Sequence, residues 1–109
     1  MTSLKDLLEK LYKPFLELDC DVTHFRRLSK FPYVVWAEDG EENSFSADNI
    51  KQEQRITGMV DLFTRTEFDS LIDDIQEILN EEQIGWVLSS VQYEEETNLI
   101  HYQWRWWVI

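Results

Sequence analysis

Cysteine is almost missing from this chain. Cys20 stands alone among 109 residues, so no internal disulfide can form, and the composition fits a reducing compartment. Histidine is nearly as scarce, with only His24 and His101. A nucleophile needs a base beside it, and a zinc site needs three or four ligands at recognisable spacings. Catalysis and metal binding therefore have little to draw on, and no catalytic residue, metal site or cofactor is expected. Three glycines leave no Gly-rich loop to cradle phosphates. No uncharged apolar stretch reaches the roughly 18 residues of a membrane-spanning helix. The opening residues Met1-Thr2-Ser3-Leu4-Lys5-Asp6 have neither the basic start nor the apolar run of a secretory leader.

Positive charge is also short. Ten Lys and Arg face 22 Asp and Glu, for a net charge of -12. The imbalance is uneven. Residues 1–37 carry six basic against five acidic groups, while residues 38–53 carry one against six and residues 54–83 two against eight. Such a surface gains nothing from nucleic-acid phosphates, having few cations with which to release counterions. Anionic membranes are excluded as charge-driven partners for the same reason.

What the chain does have is aromatic side chains. Three of its five tryptophans fall in the last ten residues, "IHYQWRWWVI". Alternation there is nearly perfect. Ile100, Tyr102, Trp104, Trp106 and Val108 share one face, and His101, Gln103, Arg105, Trp107 and Ile109 the other. This predicts a C-terminal strand with one aromatic face under helices. A turn at Glu95–Asn98 separates it from a preceding strand that begins near Ile84.

The remaining elements follow from local pattern. Leu4, Leu7, Leu8, Leu11 and Phe15 recur at helical spacing behind Thr2 or Ser3 as N-cap, with Asp6/Lys10 and Glu9/Lys13 as i,i+4 pairs. Pro14 should end or kink that helix. Glu17 to Phe31 reads as irregular. Tyr33–Trp36 is a strand stopped by Asp39-Gly40. Residues 38–53 form a long polar loop or the tip of a β-arm, longer than ordinary hairpin loops. Arg55–Arg65 alternates with apolar residues on both faces, as a central strand would. Glu67–Gln83 is the strongest helix, its apolar face built from Phe68, Leu71, Ile72, Ile75, Ile78 and Leu79, with "TEFD" resembling a capping box. The expected architecture is α+β in the order α-β-β-α-β-β, a single domain over 1–109 with an antiparallel four-stranded sheet carrying two helices.

Candidate sites are few. Cys20 and His24 are four apart and would share a helical face, but a small apolar residue beside a surface imidazole accounts for them. Asp69, Asp73, Glu77 and Glu81 form an acidic stripe, at a cost of roughly 0.2–0.5 kcal/mol for each like-charged i,i+4 pair. "AEDGEEN" lacks the alternating acidic positions of a calcium loop. Aromatics on a sheet can stack single-stranded nucleic acid, but such sheets also carry Lys and Arg, and Arg105 is nearly alone. Trp107 should point away from the helix-covered core. With Phe63 and Trp86, it gives the sheet more apolar surface than one helical layer covers, which implies a partner such as a second copy.

Several local words match a known pattern. "YVVW" is followed by "SADN" at Ser46–Asn49, then "DLFTR" at Asp61–Arg65, an acidic amphipathic helix running into "ILNEEQIGW", and a closing strand pair ending in aromatics. Over roughly residues 31 to 109 the chain resembles the tail-terminator (tail-completion, head–tail joining) proteins of long-tailed phages and prophages. That resemblance implies a hexamer-like ring that caps the finished tail tube. Its partners would be the major tail tube protein and the head connector protein, with DNA passing through the lumen without specific binding. It implies a virion protein made in the bacterial host cytoplasm, with no catalytic residues. Interface candidates are Trp107, Ile109, Arg105, Phe45, Asp48 and Asn49. The competing expectation is an acidic intracellular inhibitor or DNA mimic, with carboxylates standing in for phosphates.

Overall fold

Ser3 opens the first helix. Its Oγ accepts the amide of Asp6 at 3.1 Å, capping α1 (Leu4–Phe15). Leu7, Leu8, Leu11 and Phe15 are buried along one stripe. Pro14 sits in the last turn, where it lacks the amide that would donate to the Lys10 carbonyl, and the helix ends one residue later. On the exposed side Glu9 gathers both Lys13, at 3.2 Å, and Lys5, at 4.0 Å. The expected Asp6/Lys10 pair does not form among the described residues.

The computed structural model describes residues 3–42 and 55–108. After α1 come β1 (Asp21–His24), β2 (Tyr33–Glu42), β3 (Arg55–Thr64), α2 (Ser70–Glu81), β4 (Gly85–Glu94) and β5 (Leu99–Val108). The strands form a five-stranded sheet in the order β1-β2-β3-β5-β4. β1 runs parallel to β2, and every other pairing is antiparallel. The expected antiparallel four-stranded sheet is therefore corrected to a mixed five-stranded one. The missing strand lay in the segment read as irregular. It is four residues long with Val22 its only aliphatic residue, too short for alternation to register. Its partner in the sheet, not its own sequence, makes it a strand.

Both helices lie on one face. Their buried side chains meet Val34 and Trp36 of β2, Ile56, Val60 and Leu62 of β3, and Trp104, Trp106 and Val108 of β5 in one core. The alternation expected for the last strand holds, with Trp104 and Trp106 fully buried. β3 is central and buried on both faces, as its double-sided apolar pattern required. β2 does not stop at Asp39-Gly40. A bulge between Glu38 and Gly40 lets pairing with β3 continue to Glu42, and Asp39 uses its carboxylate to accept the buried Thr57 hydroxyl at 2.7 Å. The first part of the supposed 38–53 loop is thus strand, and its remainder lies outside the described residues.

The second helix starts later than its apolar pattern suggests. Asp69 is the N-cap, accepting the amide of Leu71 at 2.9 Å. Its other oxygen takes the hydroxyl of Thr64, a fully buried residue, at 2.6 Å. Phe68, expected in the apolar face, has φ +55 and is 89% exposed. A residue in the left-handed region cannot be part of the helix. The capping box is accordingly not used, because Thr64 and Asp69 satisfy each other instead. Asp69→Ala should remove the cap and strand the Thr64 hydroxyl, lowering stability by about 1–2 kcal/mol. A lower urea midpoint with an unchanged slope would show this.

Candidate interaction surface

The sheet face away from the helices has two halves. Residues between β1 and β2 fold back over one half, where Leu28 and Phe31 pack on Tyr33, Val35 and Phe63. Tyr33 and Phe63 are cross-strand partners and stack at 4.8 Å, and Phe63 stacks on His101 at 4.2 Å. Arg27 lies over Phe63 and Arg65 over Phe31, at 5.2 and 4.7 Å from the ring centres. Such contacts stabilise by about 0.5–1 kcal/mol at exposed sites. Beside this cluster the face turns polar. Asp61 Oδ1 is 2.6 Å from His101 Nε2 and accepts the Gln103 amide at 3.0 Å. The chain therefore covers part of its own second apolar face and breaks the rest with a polar network. Of the three side chains expected to add apolar surface, Phe63 is buried under this cover, Trp86 turns to the helix side and Trp107 stays half-buried.

Trp107 does lie on that face, half-buried, with its indole lying across Gly85, its cross-strand partner. Arg105, exposed, sits two pairs further along between Met59 and Val87. Ile109, Phe45, Asp48 and Asn49 lie outside the described residues. Of the acidic stripe, Asp73, Glu77 and Glu81 are exposed along α2, whereas Asp69 precedes the helix as its cap. The stripe is three carboxylates plus a structural one.

Cys20 and His24 are not brought together as a dyad. A strand advances roughly 3.3 Å per residue against 1.5 Å in a helix, so β1 carries the imidazole away from the thiol. His24 instead stacks between Trp36 and Phe25, at 3.8 and 4.0 Å, with Nε2 2.6 Å from Glu38 Oε1. Cys20 packs against the core, and its thiol is pushed up to about 11 by burial first, then by Asp21, Asp69 and Asp19. It stays protonated at neutral pH and is a poor nucleophile. Alkylation should be slow at pH 7 and keep accelerating well beyond the ordinary value of 9.0. The folded state retains this proton after the unfolded chain has lost it. Stability should therefore fall as pH rises from about 9 to about 11, which pH-dependent denaturation would measure. Among the described residues no group of three or more His, Cys, Asp or Glu is placed to hold a metal ion.

Two further features were not foreseen. Leu4, Leu8, Tyr12 and Leu16 of the α1 segment face Val22 and Trp36 across an open groove of about 560 Å³, and Tyr12 stacks on Trp36 at 5.5 Å. The second is the free edge of the sheet. Four of the large apolar side chains left exposed, Val87, Leu88, Val91 and Tyr93, belong to β4. α2 lies over β5, where Gln76 accepts the Trp104 indole, and reaches β4 through Asn80 at Trp86. A signal for this edge stood in "GWVLSSVQYE", whose apolar alternation changes phase between Leu88 and Val91, as a bulge requires. No protein-family model matches the chain, and no curated protein matches it significantly.

Proposed function

We propose that this chain is a non-catalytic assembly protein, a tail terminator that caps the tail tube of a long-tailed phage or prophage as a ring and joins it to the head connector. What carries the reading is the resemblance of several sequence words to that family's pattern. Its "YVVW" and "DLFTR" segments form neighbouring strands, with Tyr33 opposite Phe63 and Val34 opposite Leu62. Two further features support it. β2 leaves the buried core after Trp36 and runs on through exposed Asp39–Glu42, still paired with β3 as far as Glu42 opposite Arg55. An exposed strand end of this kind suits contact with a neighbour. The charge of -12 suits a lumen through which DNA slides without sticking, because like charge opposes adsorption.

The test is electron microscopy of the purified protein mixed with tail tubes. Rings at tube ends are expected, and no association would overturn the reading. One observation favours the DNA-mimic alternative: Asp73, Glu77 and Glu81 lie exposed on one helix, roughly 6 Å apart along its axis. The triple variant Asp73→Asn, Glu77→Gln, Glu81→Gln separates the two. An inhibitor of a DNA-binding protein would lose its partner, whereas a tube cap would still assemble. Asp69 must stay unchanged, because its loss would destabilise α2 and obscure either outcome.

A further inference from the structure

The two edges of the sheet are defended differently. β1 is four residues long and carries Asp21. Short, charged edge strands resist pairing with another chain. β4 is ten residues long and has no charged residue before Glu94. In a chain of net charge -12, residues 85–93 form an uncharged strip bearing Val87, Leu88, Val91 and Tyr93 in solvent. Its outward N–H and C=O groups are available to a further strand.

The bulge decides which strand fits. Trp86 and Leu88 pair with Trp106 and Trp104 of β5, and so point to the helix side. Pairing shifts between Leu88 and Ser90, and Val91 and Tyr93 then pair with Tyr102 and Ile100, returning the odd-numbered residues to the helix side. Residues directly opposite in a ladder must share a face. For β4 laid antiparallel on a second β4, faces therefore match only if an even-numbered residue of the first half meets an odd-numbered one of the second. A two-fold axis between Ser89 and Ser90 satisfies this along the strand. It sets Trp86 opposite Tyr93 and Leu88 opposite Val91 on the helix side. Val87 faces Gln92 on the other side, and each Glu94 ends beside the partner's Gly85, with the two carboxylates at opposite ends. The bulge lies at the centre, leaving two runs, 85–88 against 91–94, related by symmetry.

We propose that β4 pairs with β4 of a second copy, extending the sheet across a two-fold dimer. The contact is isologous and closes at two copies. It is distinct from the head-to-tail contact that a ring requires, and it does not depend on the tail reading. Both copies are acidic, so added salt should strengthen the dimer by screening their repulsion.

Sedimentation equilibrium tests it. The wild-type mass should rise from 13.2 kDa toward twice that value with concentration, and do so more readily at high ionic strength. Leu88→Glu alone and Val91→Lys alone should each weaken association about tenfold or more, since each alters two cross-strand contacts per dimer. An equimolar mixture of the two variants should regain it, because one copy's Glu then faces the other's Lys. Far-UV circular dichroism checks that both variants fold, and Leu88→Ser and Val91→Ser replace them if they do not. The proposal is overturned by a wild type that stays at 13.2 kDa, as it would if the edge took only a foreign peptide. It is equally overturned by oligomers indifferent to both variants, or by a mixture as weak as its parents. A hexamer insensitive to these changes would overturn this contact while supporting the ring. Failure to bind tail tubes would count against the tail reading and leave the dimer standing.

Discussion

Replacing Gly58 with alanine should destabilise the protein by about 3 kcal/mol, at the upper end of what overpacking costs. Gly58 lies in the central strand β3, opposite Glu38 on one side and Trp106 on the other. A Cβ there would stand 2.2 Å from the Ala37 carbonyl oxygen and 2.3 Å from Trp106 Cζ2. The first obstacle is backbone, which cannot rotate away. The second is a ring with no exposed surface, packed in the core. Relief requires β2 and β3 to part or Trp106 to leave its site. Gly85 makes an informative companion. Its Cβ would meet the Trp107 indole at 1.9 Å, but Trp107 is only half-buried and can swing outward. Gly85→Ala should therefore cost clearly less than Gly58→Ala. Urea denaturation followed by tryptophan fluorescence would rank the two, and equal costs would contradict this account of the Gly58 contact.

Trp104→Ala should cost about 3–5 kcal/mol, the range for truncating a buried aromatic. Trp104 is fully buried between Val60 of β3 and Leu88 of β4, and its Nε1 donates to Gln76 of α2 at 3.0 Å. Truncation would open a cavity between sheet and helix and release the indole hydrogen bond that ties β5 to α2. Gln76 is partly exposed, so water can replace that bond, and the cavity dominates. Against a total stability of about 5–15 kcal/mol for a domain, the variant would sit near unfolding. Trp104→Phe should cost less, because it keeps most of the ring volume. Trp107→Ala, on the opposite face and half-buried, should cost less than Trp104→Ala. Guanidinium unfolding of the three variants checks the order. Equal costs for Trp104 and Trp107 would mean that the two faces of β5 are not buried as described.

Local patterns were legible where one residue's environment repeats along an element. The stripe Leu4, Leu7, Leu8, Leu11, Phe15 and the alternation from Ile100 to Val108 each predict a face, and those faces turn to the core, with Leu4 left exposed and Ile100 and Tyr102 half-buried. Failure came where a distant residue decides a local outcome. Thr64 and Asp69 bond to each other across the end of β3, so α2 begins at Ser70 and Phe68 is left in solvent. β1 has too few apolar residues to declare itself and exists because β2 offers it an edge. The Cys20–His24 spacing suggested proximity only on the assumption of a helix. The acidic stripe lost Asp69 for the same reason that the helix lost its first turn.

The candidate surfaces divide along the same line. Composition and charge by themselves determined that this is an acidic chain of scarce cysteine and histidine, that its C-terminal segment alternates as a strand, and that helical and strand segments are mixed. These follow from residue type and short-range periodicity, which need no knowledge of what lies opposite. Only the tertiary structure decided which apolar surface stays uncovered. The far face, expected to be greasy, is partly roofed by Leu28 and Phe31 and divided by Asp61, His101 and Gln103. The uncovered strip is β4 instead, because α2 settles over β5 and the sheet ends one strand later. Burial is a property of neighbours, and neighbours are chosen by the fold.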